Sequence, residues 1–278
     1  MEQTKYKQYK SISITEIQEI MTNMMKDIHK ICVRHGIPYC LAYGTMLGAI
    51  RHDGFIPWDD DMDIFILRKD YPRLKKALEE ELSDRYFFQT PVTDKKFGIC
   101  HVPYKLRDNH STLLEEPDRF YHQGAFIDFF MLDDYCDLEN YQKVFKRCSM
   151  LSSLKMRIDF KQLSGIKKYV RILLQLIFKL VPAKAVFNYN LKQAAKLKKD
   201  DNSEYVHVGI EHMERYKFKR ADMFPPVLHK FGDTEFYVPN NSDACLKELF
   251  GDYMQLPPVE SRIPHASFYY NEAVFEKK

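Results

Sequence analysis

Apolar residues return at helical spacing early in the chain: Ile14, Ile17, Ile20, Met21, Met24, Met25, Ile28, Ile31 and Cys32 fall on one face. Ser13 and Glu16 stand where a capping box starts such a helix, and Gly36 and Pro38 where it ends. The methionine-rich stripe reads as core packing, and His29 and His35 as ordinary helix and cap residues. A second amphipathic helix is expected after Asp70, with Pro72 in its first turn and Leu74, Ala77, Leu78 and Leu82 on one side. The apolar runs Tyr39–Tyr43 and Ile64–Leu67 have the length of buried strands. Further strands are expected at Arg85–Gln89, Tyr205–Ile210 and Thr234–Val238, and a hairpin over Gly98–Leu114 turning at Asp108-Asn109. Asp243–Phe250 reads as a short helix closed by Gly251.

Residues 137–200 change character, becoming basic and helical. In the run GIKKYVRILLQLIFKLVPAK, apolar positions from Tyr169 to Val181 cover too much of a helix for an ordinary surface face. Lys167, Lys168, Arg171, Lys179 and Lys184 flank or interrupt it. The pattern predicts a helix at 166–181 lying in a membrane interface, its basic residues toward anionic headgroups. A core helix and an oligomer contact are the alternatives. Three parts follow: a core over 13–135, a basic helical insertion over 136–200, and a C-terminal part over 201–278 that completes the first.

Composition narrows the class. With 45% hydrophobic and 29% charged residues the chain reads as globular. A net charge of only +3 gives no electrostatic ground for nucleic-acid binding, and none is expected. Its six cysteines show no C-x-x-C and no zinc-ribbon spacing, which favours a reduced, cytoplasmic protein. The start MEQTKYKQYKS lacks the apolar core of a secretory signal, and no stretch has the roughly 18 uninterrupted apolar residues of a membrane span.

The candidate chemistry lies in YCLAYGTMLGAIRHDGFIPWDDDMDIFIL, residues 39–67. Asp61 and Asp63 sit at the start of an expected strand, where side chains two apart share a face. Two carboxylates held that close repel unless a cation shares them, and paired hard oxygens suit Mg²⁺, with Mn²⁺ an alternative. The competing reading is a solvated acidic loop, but apolar residues on both sides make bare charge expensive there. Gly44-Thr45, between strand and helix, supplies a close backbone approach and helix N–H groups for a phosphate. Asp128, alone among apolar neighbours in FIDFFML, is costly to bury unless something compensates for it, an ion pair or a cap being the ordinary reading. Asp133 and Asp134 read as the start of the next loop or a helix cap.

The motif GTMLGAIRHDGFIPWDDDMDI resembles the signature of the LicD family, the bacterial phosphocholine transferases, with fukutin-type ribitol-phosphate transferases as more distant relatives. YKLRDNHSTLL, FIDFFMLDD and the stretch from Met223 to Pro258 resemble further family blocks in order. The resemblance implies an α+β, nucleotidyltransferase-like mixed sheet flanked by helices, carrying the basic amphipathic insertion and a C-terminal arm. It also implies a reaction. A CDP-alcohol such as CDP-choline gives its phospho-alcohol to a sugar hydroxyl of a cell-surface glycan, often lipid-linked, and CMP leaves.

On that reading Asp61, Asp63 and Asp128 hold the metal, and Asp59 is the base for the acceptor hydroxyl. Arg51 and His52 meet the donor diphosphate, and Lys105 and Arg107, on one strand face, receive a phosphate or face water. Trp58 is a packing anchor or a choline-binding face. The expected place of work is the inner face of the cell membrane, reached through 166–181. A nucleotidyltransferase acting on a small acceptor and a non-catalytic membrane adaptor are the alternatives.

Overall fold

The computed structural model describes residues 9–82, 84–135, 138–156, 165–197, 200 and 202–274. Helix α1 (Ile14–His35) begins at the capping box: Ser13 accepts from the Glu16 N–H at 3.2 Å, and the Ser13 N–H donates to Glu16 at 2.8 Å. It ends at Gly36, whose left-handed φ of 58° suits glycine. Met21, Met24, Met25 and Ile28 are completely buried, as the stripe predicted.

Strand β1 (Tyr39–Leu41) leads into α2 (Tyr43–His52), β2 (Asp63–Leu67), α3 (Tyr71–Glu81) and β3 (Tyr86–Gln89). β4 (Lys105–Asp108), β5 (Thr112–Leu114) and β6 (Phe126–Asp133) follow. Every residue of β2 and β6 is buried, which is why both read as continuous apolar runs rather than alternating ones. The main sheet runs β1-β2-β6-β4-β3, with β2 and β6 parallel and the other pairs antiparallel. β7 (Tyr205–Val208) pairs with the end of β6, and β8 (Lys217–Lys219) pairs with β7, so the C-terminal part extends the same sheet.

The expected hairpin does not form. β4 pairs with β3 and β6, whereas β5 leaves the sheet to pair with β11 (Phe268–Tyr270). The Asp108-Asn109 turn thus redirects the chain instead of folding it back on itself. β9 (Val227–Phe231) and β10 (Thr234–Val238) form a separate hairpin, and a short α7 (Arg220–Met223) and α8 (Ser242–Phe250) complete this part.

In the insertion, α4 (Leu138–Ser153) and α6 (Ala183–Lys196) share a small core built on Tyr141, Phe145, Cys148 and Ala194. α5 (Gly165–Lys179) is held to the end of α4 by polar ties. Arg171 donates to the Ser153 carbonyl at 2.7 Å and Gln175 to that of Met156 at 3.0 Å. Its apolar residues are not core: Ile166 is 79% exposed, Tyr169 71% and Leu173 59%, and Leu180 just past its end is 87% exposed. That removes the core-helix alternative. Among the described residues no helix is long and apolar enough to cross a membrane. The cysteines described there are free and buried; Cys136 lies outside the described residues.

Candidate active site

The Asp63 N–H at the start of β2 donates to Thr45 Oγ1 at 2.8 Å. Thr45 is 1% exposed in the first turn of α2, so its hydroxyl locks strand start to helix start. Asp63 stands opposite Asp128 in parallel register, and Asp128 opposite Lys105 in antiparallel register. Residues opposite one another across neighbouring strands present side chains on the same face, so the three ionisable groups form a row across the sheet. Lys105 Nζ donates to Asp128 Oδ2 at 2.8 Å and lies 3.7 Å from the centre of the Phe126 ring. Asp128 Oδ1 is buried without a hydrogen-bond partner.

Asp59 and Asp61 come from the preceding loop, which Gln18 of α1 tethers by donating to the Asp59 carbonyl at 2.7 Å. Gly44 makes room for a carboxylate: a Cβ there would lie 2.9 Å from Asp59 Oδ2. The close approach foreseen at this glycine is therefore, in the first place, the protein's own Asp59.

Between them, Asp60 turns away and is 1% exposed. It accepts from the His265 N–H (2.9 Å), the Ala266 N–H (2.7 Å) and the Tyr269 hydroxyl (2.8 Å), anchoring the C-terminal arm. Asp60→Ala leaves those three donors without their acceptor and is expected to cost about 3 kcal/mol, read as a lower urea midpoint. An unchanged midpoint would mean the arm is held elsewhere.

The arm brings His265 over the acidic loop, its Nδ1 3.2 Å from Asp60 Oδ1 and 3.8 Å from Asp61 Oδ2. One ligand atom each from Asp59, Asp61 and His265 lie within 4.8 Å of one another.

Burial pushes the Asp63 carboxyl well above the usual carboxylate range, and the charges of Asp61 and Asp128 push it further. Asp59 rises to about 8 through burial and the neighbouring Asp61. Burial lifts Asp128 to about 7 even against Lys105, and it raises Asp61 as well. His265 goes the other way from neutrality: the hydrogen bond with Asp60 lifts it to about 9, so it is a cation at neutral pH. Asp60 stays below the usual range; burial opposes this, but the bonds from His265 and Ala266 prevail. Repelling carboxylates with an orphaned buried oxygen are oxygen donors of the kind that suits a hard divalent cation. Among the described residues, however, the ligand atoms that converge within 4.8 Å are those of Asp59, Asp61 and His265 rather than of Asp61, Asp63 and Asp128.

Arg51, His52 and Trp58 form a basic, aromatic group with Arg262 of the arm. Arg51 donates to the Tyr253 carbonyl at 2.7 Å and to His52 Nε2 at 3.0 Å. The Arg262 guanidinium lies 5.1 Å from the Trp58 ring centre, so that ring already carries a cation. Arg107 neither faces water nor waits for a phosphate. It is wholly buried, donating to Gln89 at 2.8 Å and the Gly124 carbonyl at 2.9 Å, with Glu115 at 3.3 Å. Lys105, at 3% exposure, is likewise not a solvent-facing cation. Asp133 and Asp134 are ion-paired rather than caps, Asp133 with Arg68 at 2.5 Å and Asp134 with Arg220 at 3.0 Å.

The sheet thus brings Asp63, Asp128 and Lys105 into one row beside the acidic loop. Residues 36–105 match the family described as LicD/FKTN/FKRP, nucleotidyltransferase domain. The chain is 28% identical over 265 residues to the lipopolysaccharide cholinephosphotransferase LicD of Haemophilus influenzae, covering 92% of this chain and 97% of that protein. Shorter matches reach an uncharacterized protein of Rickettsia prowazekii (44% identity over 77 residues, 28% of each chain) and one of Rickettsia typhi (38% over 74 residues, 26% of this chain and 24% of that protein). The likeness to the LicD family is thus sharpest over residues 36–105 and extends at lower identity along nearly the whole chain. The family match ends at Lys105, so Asp128 and the arm with His265 are brought to it by the fold.

Proposed function

We propose that this protein transfers phosphocholine, or a related phospho-alcohol, from a CDP-alcohol to a sugar hydroxyl of a cell-surface or lipid-linked glycan, with Mg²⁺ and release of CMP. The observation that carries the reading is the row Asp63–Asp128–Lys105 with Asp128 Oδ1 left unpartnered, beneath a loop bearing Asp59 and Asp61. The likeness to a cholinephosphotransferase over nearly the whole chain supports the reaction class. Asp61, Asp63 and Asp128 would hold the metal, which supplies charge neutralisation at the phosphates when bound.

The chain's own residues do the rest. Lys105 orients Asp128 and opposes the protonation that its burial favours. Thr45 fixes Asp63 through its backbone, and Gly44 leaves space for the Asp59 carboxylate beside the first turn of α2. Asp59, whose carboxyl sits near 8, takes the proton of the acceptor hydroxyl, an affinity close to the working pH as general-base catalysis favours. Arg51 and His52, half-buried at the end of α2, meet the donor diphosphate. The exposed apolar face of α5 holds the protein at a membrane surface.

The test is product analysis after incubation with CDP-choline, CDP-ribitol and CDP-glycerol, with and without Mg²⁺, supplemented with membrane extract. Metal-dependent CMP release from one donor is expected; pyrophosphate release from a nucleoside triphosphate instead would overturn the reading in favour of nucleotide transfer. Asp59 can be separated from the metal ligands. Asp59→Asn is expected to lower turnover by roughly 10²–10⁴-fold while calorimetric Mg²⁺ affinity stays within about threefold, as a base rather than a ligand requires. A parallel collapse of Mg²⁺ affinity would reassign Asp59 to the ligand set with Asp61 and His265.

A further inference from the structure

A cavity of about 870 Å³ lies between α5 and the stretch running from Lys95 to Tyr121. Its size falls in the range of small-molecule sites. The lining has two chemistries. Ile172, Leu176, Phe178 and Val181 supply aliphatic and aromatic surface, and Lys95, Lys155 and Lys179 supply positive charge. Lys155 is fixed in place, its ammonium donating to the Phe178 and Val181 carbonyls where α5 ends. Glu116, the one acid among the described lining residues, is paired with Arg119 at 3.5 Å, and the lining as a whole stays cationic with Lys95, Lys155 and Lys179.

Two of its lining residues also belong to other features. Leu176 belongs both to its lining and to the exposed apolar face of α5, being 53% exposed. His101 lines it and also a small pocket behind β6, and its Nδ1 is buried without a hydrogen-bond partner. Four residues further along the chain is Lys105, bonded to Asp128.

We propose that this cavity binds the phosphate-bearing head of a long-chain lipid, the carrier of the acceptor glycan, with the lipid chain leaving along the apolar face of α5. The proposal rests on the reading of the acceptor as lipid-linked and names the residues that would receive it. A neutral lipid leaves the lysines unused, and a free phosphate leaves the aliphatic wall unused; only an anionic amphiphile uses both.

The experiment titrates the full chain calorimetrically with farnesyl phosphate below its micellar concentration, and separately with farnesol and inorganic phosphate. Farnesyl phosphate is expected to saturate one site at least tenfold more tightly than either fragment. Lys95→Glu with Lys179→Glu should weaken it tenfold or more, and Ile172→Trp, which fills the cavity, should do the same with circular dichroism unchanged. Equal affinity in the charge and cavity variants would place the lipid on the outer face only and overturn the proposal, as would binding of inorganic phosphate at the same strength. No turnover is needed for this measurement. Failure to release CMP would therefore sink the reaction without touching the binding result, and absent lipid binding with normal CMP release would sink only the proposal.

Discussion

Asp63→Asn is expected to reduce transfer by on the order of 10³-fold while making the metal-free protein harder to melt. The two effects share a cause. Asp63 is 7% exposed, in register with Asp128, and repelled by Asp61, Asp128 and Asp59. Asparagine keeps the shape and removes one repelling charge, so the folded protein is relieved while a ligand of the proposed cation is lost. About 1 kcal/mol of relief corresponds to roughly 2–4 °C in a chain of this size class. Retained activity with an unchanged melting temperature would remove the carboxylate cluster from the mechanism.

The same repulsion sets a pH dependence. The folded-state affinities of Asp59 (about 8) and Asp128 (about 7) are raised, so the folded protein holds protons there that the unfolded chain releases. Their stabilising protonation is complete at low pH and is lost as pH rises through 7 to 8. His265, lifted to about 9, acts in the same direction. Below about 6.5, the ordinary histidine value, the buried imidazoles oppose this, because His101 and His122 are pushed down to about 4 and about 3. Between pH 6.5 and 9 the metal-free melting temperature should therefore fall, and Asp63→Asn should flatten the slope. Millimolar Mg²⁺ should restore stability most at the alkaline end; no effect of Mg²⁺ at pH 8.5 would count against a cation at these carboxylates.

Much of this centre is legible locally. A lone aspartate in FIDFFML needs compensation, and the antiparallel pairing of β4 with β6 provides it by placing Lys105 beside Asp128. The α1 stripe is legible because period and burial coincide. What the sequence hides depends on distant chain. His265 and Arg262 lie some 200 positions from the acidic loop, and Asp60's grip on backbone N–H groups, together with the pairing of β11 with β5, brings them there. No local spacing encodes that. Arg107 misleads for a different reason: alternation puts it on one face with Lys105, but Gln89, Glu115 and the Gly124 carbonyl satisfy it inside the core. The Asp108-Asn109 turn has hairpin chemistry, yet the partner of β5 is β11, the last strand among the described residues.

The other large expected effect concerns α5. Leu173 and Ile177 on its outer face and Leu180 just past its end, at 59%, 52% and 87% exposure, contribute little to the folded core. Replacing all three by glutamate should leave the melting temperature nearly unchanged, yet remove binding to vesicles containing anionic lipid. Each side chain forfeits at least about 1 kcal/mol of transfer to the interface, from roughly 1.5–3 kcal/mol for complete burial. The triple variant should therefore partition about 10²–10³-fold less. Salt should weaken wild-type binding through Lys168, Lys179 and Lys184, at roughly 1 kcal/mol per lysine at the surface. Arg171 should contribute little, because it is committed to the Ser153 carbonyl and hydroxyl at 2.7 and 3.0 Å. Sedimentation supplies the contrary outcome: if wild type never binds vesicles but is a dimer that the triple variant splits, this face joins two copies of the chain. A membrane surface and a second copy both cover the leucines, but only the membrane also gives the flanking lysines an anionic partner, so joint loss on salt and on leucine replacement identifies the lipid surface.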